Sequence, residues 1–346
     1  MSVIWAEFQA DHRLSSELRA WQGSRVTTVP IEVPPEVEET VREVFGAAGE
    51  RWLGELPGLV EKLCGTWGLT VIGPAFGGGT HAFVAPVRRG DGSVAVLKVP
   101  VVDEENVAEA TGLFCYGGDG AVTLYGFDAG SGAMLMEWAR PGEPLLAQPG
   151  FPSLEGRPEN ASRVRLACTL LRRLRREPVG VPEDYPTLPT ATDMVERWTS
   201  RLQHPEPELA EVLPEDLRER ALAWCARLAV PAGPLLVVNR DTHLGNIVAA
   251  EREPWLLIDP KPYLGEAAFD AGFLIMIQVQ SAPTPEHARA VVAATARDLD
   301  IPADRANGWA FLRAIEEIIW SVEDEDTEAL PLHLAVAHAL ATSPAS

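Results

Sequence analysis

Asp241 and Asn246 stand five positions apart in D-T-H-L-G-N, directly after the apolar run LLVV. Asp259 follows a second apolar run, WLLI, eighteen residues beyond Asp241. Read as strands, the two runs deliver two carboxylates and one amide to neighbouring loops. Phosphoryl transfer needs this set: a carboxylate that orients a hydroxyl and accepts its proton, and oxygen ligands for Mg2+. Any one of the three residues alone would say little. The competing reading is a hairpin in which Asp and Asn serve only as turn formers.

A DxxxxN spacing followed by a strand and a further Asp is also the one that protein kinases use. The complementary half of such a site is expected near the N-terminus. Gly77, Gly78 and Gly79 form a turn between two strands, and its tip can approach phosphate because it lacks side chains. Lys98 lies in V-L-K-V with apolar neighbours on both sides, so its charge needs a partner. Kinases meet that need with ATP phosphates and a glutamate on the next helix. Glu109 is the first candidate and Glu105, four residues earlier on the same face, the second. The alternative is a lysine that snorkels to the surface.

The elements that must position these groups divide the chain. A helical pattern covers 36–65, interrupted near Pro57. LTVIGPAF, THAFVAPVRRG and SVAVLKVPV read as three strands, the last two joined by a turn at Asp91-Gly92. A helix around 103–115 follows, then two more strands, AVTLYGFD and GAMLMEWA. Pro141-Gly142 breaks the pattern, and helices are expected at 160–176, 191–203 and 213–229, with a Pro-rich loop at 177–190. The β-rich stretch carrying Asp241 and Asp259 comes next, and helices resume near Phe269. There are no internal repeats. The expected division is an N-terminal extension over 1–35, a first lobe over 36–141 and a second over 142–346.

Composition bounds the partners. The 346 residues carry 50 acids against 29 bases, a formal charge of -21, with 46% apolar residues. That sign disfavours nucleic acid and anionic membranes and favours cationic partners, unless it serves solubility alone. No apolar run approaches the ~18 residues of a membrane span, and the N-terminus does not read as a secretory signal, so a cytoplasmic location is expected. The four cysteines, far apart and without a CxxC pair, read as free core thiols. Lysine occurs only at 62, 98 and 261.

The chain resembles the aminoglycoside phosphotransferase family, in the branch containing streptomycin 6-kinases and hydroxyurea phosphotransferases. The resemblance runs from about residue 65 to the C-terminus and is most specific in LLVVNRDTHLGNIV…PWLLIDPKPYLGEAAFD. Weaker echoes are EATGLFCYGGDGAVTLYG, MLMEWARPGEPL and RAIEEIIWSVED. It implies an α+β, bilobal protein-kinase-like fold with a five-stranded antiparallel N-lobe and a mostly helical C-lobe. It implies Asp241 as catalytic base, Asn246 and Asp259 as magnesium ligands, and Lys98 paired with Glu109 on the phosphates of ATP. Asp270 would brace the catalytic loop, and the backbone of Glu137 to Ala139 would hold the adenine edge. Lys261 would meet phosphate or acceptor, or serve as a salt-bridged structural residue.

His243 invites a general-base reading, but it matches a family histidine and is expected to position the loop. Glu323, Asp324, Glu325 and Asp326 are either a solvated helix end or, where the family's C-terminal helices line the acceptor pocket, a site for a cationic acceptor. One departure stands out. The family usually has His-Gly-Asp where this chain has Asn239-Arg240-Asp241. Asn replaces some of the histidine's hydrogen bonds but fills less volume, and Arg240 adds a bulky cation beside the cleft. The activity expected is transfer of phosphate from ATP to a hydroxyl of a small cationic molecule such as streptomycin. The alternatives are a kinase of another hydroxylated metabolite and a weakened, pseudokinase-like nucleotide-binding protein.

Overall fold

A computed structural model describes residues 31–77, 81–147 and 158–341. Gly78, Gly79 and most of the expected N-terminal extension lie outside the described residues. Helix α1 (Pro35–Trp67) ends where Gly68 takes the left-handed conformation and donates its N–H to the Cys64 carbonyl. The break in α1 falls at Gly46, at φ 50°, and not at Pro57, which stays within the helix. Proline removes one backbone bond, whereas glycine alone enters positive φ freely, so the chain bends at the glycine.

Strands β1 (Thr70–Val71), β2 (Ala82–Arg88) and β3 (Val94–Pro100) are followed by helix α2 (Glu109–Tyr116), then β4 (Leu124–Asp128) and β5 (Ala133–Met136). They form a five-stranded antiparallel sheet in the order β1-β2-β3-β5-β4. Alternation decides what each face does. Phe83, Ala85, Val87, Leu97 and Val99 pack with Leu56, Val60 and Leu63 of α1 in one apolar cluster. Val96 and Met134 belong instead to the large cluster that continues into the second lobe, and Lys98 shares the side of Val96. The strand pattern therefore sends the lysine into the cleft. Helix α2 begins six residues later than the helical pattern suggests. The Asp103 carboxylate accepts from the N–H groups of Glu105 and Asn106, and the Asn106 amide donates to the Val101 carbonyl. These bonds hold 103–106 as a turn, because side-chain acceptors satisfy the backbone more locally than a helix would.

Beyond the cleft, β6 (Pro141–Pro144) is followed by helices α3 (Pro158–Leu174), α4 (Ala191–Gln203), α5 (Pro207–Val212) and α6 (Glu215–Leu228). The helix expected at 213–229 is thus a shorter one preceded by a separate single turn. Strands β7 (Leu236–Asn239), β8 (Ile247–Ala250), β9 (Trp255–Leu257) and β10 (Pro262–Gly265) come next, then α7 (Ala271–Val279), α8 (Pro285–Leu299), α9 (Ala303–Glu323) and α10 (Leu330–Ala341). β7 pairs with β10, and β8 pairs with β6 and β9, all antiparallel. Helix α9 is the hub of this lobe, burying Trp309, Phe311, Ile315 and Ile318. None of the four thiols is bonded to another; Cys168 and Cys225 are buried and Cys64 and Cys115 half-buried. No helix among the described residues is long and apolar enough to cross a membrane.

Candidate active site

Strand β7 ends at Asn239, and the short loop after it carries Asp241. One oxygen of Asp241, Oδ2, accepts from Asn246 Nδ2 at 3.0 Å and lies 3.4 Å from His243 Nε2. Its other oxygen has no hydrogen bond among the described residues and is free to meet a hydroxyl. Burial works against the charge of Asp241, but His243 outweighs it and holds the carboxyl below its usual range. His243 Nδ1 accepts the Gly245 N–H at 3.0 Å, so the ring proton sits on Nε2 and faces Asp241. In that tautomer the histidine is a donor that positions the carboxylate, and it cannot take a proton from an acceptor through Nδ1. Gly245 is required there: a Cβ would lie 2.7 Å from His243 Nδ1.

Asp259 completes the other side at φ 45°, a conformation that Asp and Asn tolerate better than most residues. Lys98 Nζ donates to Asp259 Oδ1 at 2.6 Å and to both oxygens of Glu109 at 2.8 and 2.7 Å. The Lys98 side chain is 11% exposed and that of Glu109 only 1%. Burial opposes the ammonium, yet Asp259 and Glu109 more than offset it and keep Lys98 charged well above neutrality. Asp259 is likewise opposed by burial and held far below the usual carboxylate range by Lys98 and Lys261, whose Nζ is 3.6 Å away. Lys98, Glu109, Asp259 and Lys261 thus meet in one cluster, although 161 residues separate Lys98 from Asp259.

The donor set fits a hard divalent cation. Asp259 offers carboxylate oxygen, and Asn246, whose amide nitrogen is committed to Asp241, offers its amide oxygen. Among the described residues no group of three or more His, Cys, Asp or Glu could hold a metal alone. Mg2+ typically takes one or two protein oxygens, with phosphate and water supplying the rest.

The substitution at Asn239 has a structural answer. Its side-chain oxygen accepts from the Lys261 N–H at 2.8 Å, its amide donates to the Asp241 carbonyl at 3.1 Å, and its own N–H donates to Asp270 Oδ1 at 2.8 Å. Asn239 therefore ties the Asp241 loop to the Asp259–Lys261 segment. Asp270 is braced in turn by Arg175 at 2.7 Å, and its carbonyl accepts from the Thr242 hydroxyl at 2.9 Å. Asn239→Ala should cost about 1–3 kcal/mol of stability, because it leaves buried backbone groups unpaired. A denaturation midpoint equal to the wild type would show that water takes over these bonds.

Other expected residues have engagements of their own. Gly77 packs under α1: a Cβ there would meet Glu36 Oε1 at 2.5 Å. The Glu137 N–H donates to the Thr123 carbonyl at 2.8 Å, and its carboxylate accepts from Thr123 and from Arg252 at 2.9 Å. That residue stiffens the hinge, and its N–H is not available to a base edge; Ala139 follows in the same connection to β6. In the acidic cluster, Glu323 pairs with Arg201 at 2.5 Å, and the Asp326 carboxylate accepts from the N–H groups of Glu328 and Ala329. Asp324 and Glu325 continue that helix end, Glu325 at φ 54°.

Sequence reasoning missed the charges two to three turns earlier on α9. Arg240 Nη2 donates to Glu316 Oε1 at 3.0 Å, Arg313 contacts Glu316, and Arg313 also pairs with Glu317 at 3.2 Å. Burial and the neighbouring Arg240 pull the Arg313 guanidinium down to about 10. Only the segment RAIEEIIWSVED and the bulky residue beside Asp241 signalled them in advance.

Residues 67–325 match the family model described as aminoglycoside/hydroxyurea antibiotic resistance kinase. The chain is 32% identical over 322 residues to a streptomycin 6-kinase of Streptomyces griseus, covering 90% of this chain and 97% of that one. It is 33% identical over 326 residues to a hydroxyurea phosphotransferase of Kitasatospora aureofaciens, covering 93% and 89%. Its fold is similar to that of a thermostable mutant aminoglycoside phosphotransferase solved in ternary complex with ADP and hygromycin B. The TM-score is 0.55 at 12% identity, covering 83% of this chain and 98% of that one.

Proposed function

The chain belongs to the aminoglycoside/hydroxyurea antibiotic resistance kinase family, and from that premise we propose that it transfers the γ-phosphate of ATP to a hydroxyl of streptomycin or a close aminoglycoside. The observation that carries the reading is the convergence of Lys98, Glu109 and Asp259 in one ion cluster near enough to Asp241 for the two aspartate charges to interact. In this reading Lys98 meets the phosphates, and Asp259 and Asn246 hold Mg2+, which when bound supplies charge neutralisation on the transferred group. Asp241 orients the acceptor hydroxyl and takes its proton, while Asn246 and His243 keep its other oxygen occupied. The rate then comes from positioning and electrostatics, with no covalent intermediate on the protein. Gly77 would approach the phosphates, and the backbone beyond Glu137 the base.

A second acceptor class is favoured by one observation. Arg240 and Arg313 stand in the same charge network as Asp241 and offset Glu316 and Glu317. That balance suits a small neutral acceptor of the hydroxyurea kind better than a polycation. Incubating the enzyme with Mg-ATP and a panel of streptomycin, other aminoglycosides and hydroxyurea, followed by mass spectrometry, decides between them. The expected result is one added phosphoryl group on streptomycin. Its appearance on hydroxyurea alone would transfer the assignment to the second class, and no phosphorylated product from any acceptor would end both.

A further inference from the structure

Arg240 adjoins Asp241 in sequence, yet its guanidinium contacts neither side of the proposed phosphoryl transfer. Its guanidinium, 11% exposed, lies between two distant elements. On one side Nη2 meets Glu316 Oε1 on α9 at 3.0 Å, an oxygen that also accepts from the Trp198 indole at 3.0 Å. On the other side Nη1 reaches Glu105 Oε1 at 3.4 Å, in the turn just ahead of α2. The guanidinium carbon lies over Trp320, 4.9 Å from the ring centre, and the Arg240 N–H donates to the Lys261 carbonyl at 2.9 Å. The cation over the indole and the two nitrogens bonded to different carboxylates fix its direction in a way that a lysine could not.

The Glu105 end matters for what it leads to. Asp103 accepts from the N–H groups of Glu105 and Asn106, and the Asn106 carbonyl accepts from the Glu109 N–H at 3.0 Å. Glu105 is thus one rigid turn from the glutamate that holds Lys98. Just after Glu109 the first turn of α2 is seated on the second lobe, with Gly112 so close to Pro262 that a Cβ would lie 2.7 Å away, and with the Thr111 hydroxyl donating to the Pro186 carbonyl at 2.6 Å. Arg240 adds a tie on the turn ahead of the helix.

We propose that Arg240 is a positioning residue that couples the loop carrying Asp241 to the Lys98–Glu109 pair, by way of Glu105, so that the nucleotide side and the acceptor side are set together. The proposal rests on the kinase reading above. Glu105 itself touches neither reacting side, and its part-exposed carboxylate can be neutralised without emptying the core.

Glu105→Gln should raise the KM and the dissociation constant for Mg-ATP by about 3- to 10-fold, the usual scale of coupling between contacting charges. At saturating ATP, kcat should stay within about 2-fold, with the thermal midpoint close to that of the wild type. Arg240→Ala should weaken ATP to a similar degree and also lower kcat, because the loop loses its anchor on Glu316. In the double variant the ATP effect should not exceed that of Arg240→Ala alone. Unchanged ATP affinity in Glu105→Gln, or fully additive effects in the double variant, would overturn the coupling. Wild-type protein that fails to bind Mg-ATP would instead sink the kinase reading, so the two failures are separable. Should Arg240→Ala not fold, the Glu105→Gln titration alone carries the test.

Discussion

Asp241→Asn should lower kcat by about 10²–10⁴-fold, the contribution of a positioned base. Asparagine keeps the shape, and its side-chain oxygen can still accept from Asn246 Nδ2 and His243 Nε2, so the loop should persist. What disappears is the negative charge and the proton acceptor aimed at the hydroxyl. Nucleotide affinity should change little, since Lys98, Asn246 and Asp259 remain. The depressed titration of Asp241 adds a pH signature: its ionised form persists as pH falls, so the acid limb of kcat in the wild type should lie below the ordinary carboxylate range. Turnover, ATP affinity and thermal midpoint measured on the same preparation make the check. Wild-type turnover in a folded Asp241→Asn enzyme would remove Asp241 from the chemistry.

The second large effect belongs to Asp259. Asp259→Asn should weaken Mg2+-dependent ATP binding by about 10- to 150-fold, corresponding to the loss of a charge-assisted interaction of about 1.5–3 kcal/mol. Asparagine suits φ 45°, so the backbone should tolerate the change, whereas alanine would add left-handed strain. The variant should also lose stability. The folded-state titration of Asp259 is depressed by Lys98 and Lys261, so the ionised form contributes stability that is present above the ordinary carboxylate range and lost as pH falls through the depressed value. At neutral pH the substitution removes that contribution while leaving both lysines without it. ATP titrations with and without Mg2+ read the first effect. Equal affinity with and without Mg2+ in both wild type and variant would place the metal elsewhere.

Much of the proposed reacting set was legible in the sequence because it is local. Asp241 and Asn246 share one short loop after an apolar strand, and Asp259 ends the next such run. Turn residues following buried strands are held by the alternation of the sheet, so their direction follows from the pattern. Lys98 was legible for a related reason: a charge stranded in a buried strand must have a partner, and a helix glutamate follows within reach. The five strands and most helices came from period and breakers alone. Where pattern rules compete, they misled. Pro57 looks like a break, but Gly46 bends α1 because it alone can take positive φ without strain. The turn at 103–106 reads as helix until Asp103 and Asn106 are seen to bond the backbone themselves.

Tertiary structure decided the partners of the charges. Among 50 acids and 29 bases, nothing in the sequence joins Arg240 to Glu105 and Glu316, Arg175 to Asp270, or Arg252 to Glu137. A buried arginine and a solvated one are written with the same letter, and which is which depends on the packing around α9 and the hinge. The pairing then matters most where water is excluded, since screening makes exposed pairs weak and burial makes unpaired ones costly. The sequence by itself determined which residues are candidates for the chemistry, through a few positions in short loops whose spacing is local. Only the fold determined how those loops are held at one another's distance, because that is settled by ion pairs between segments 76 to 161 residues apart.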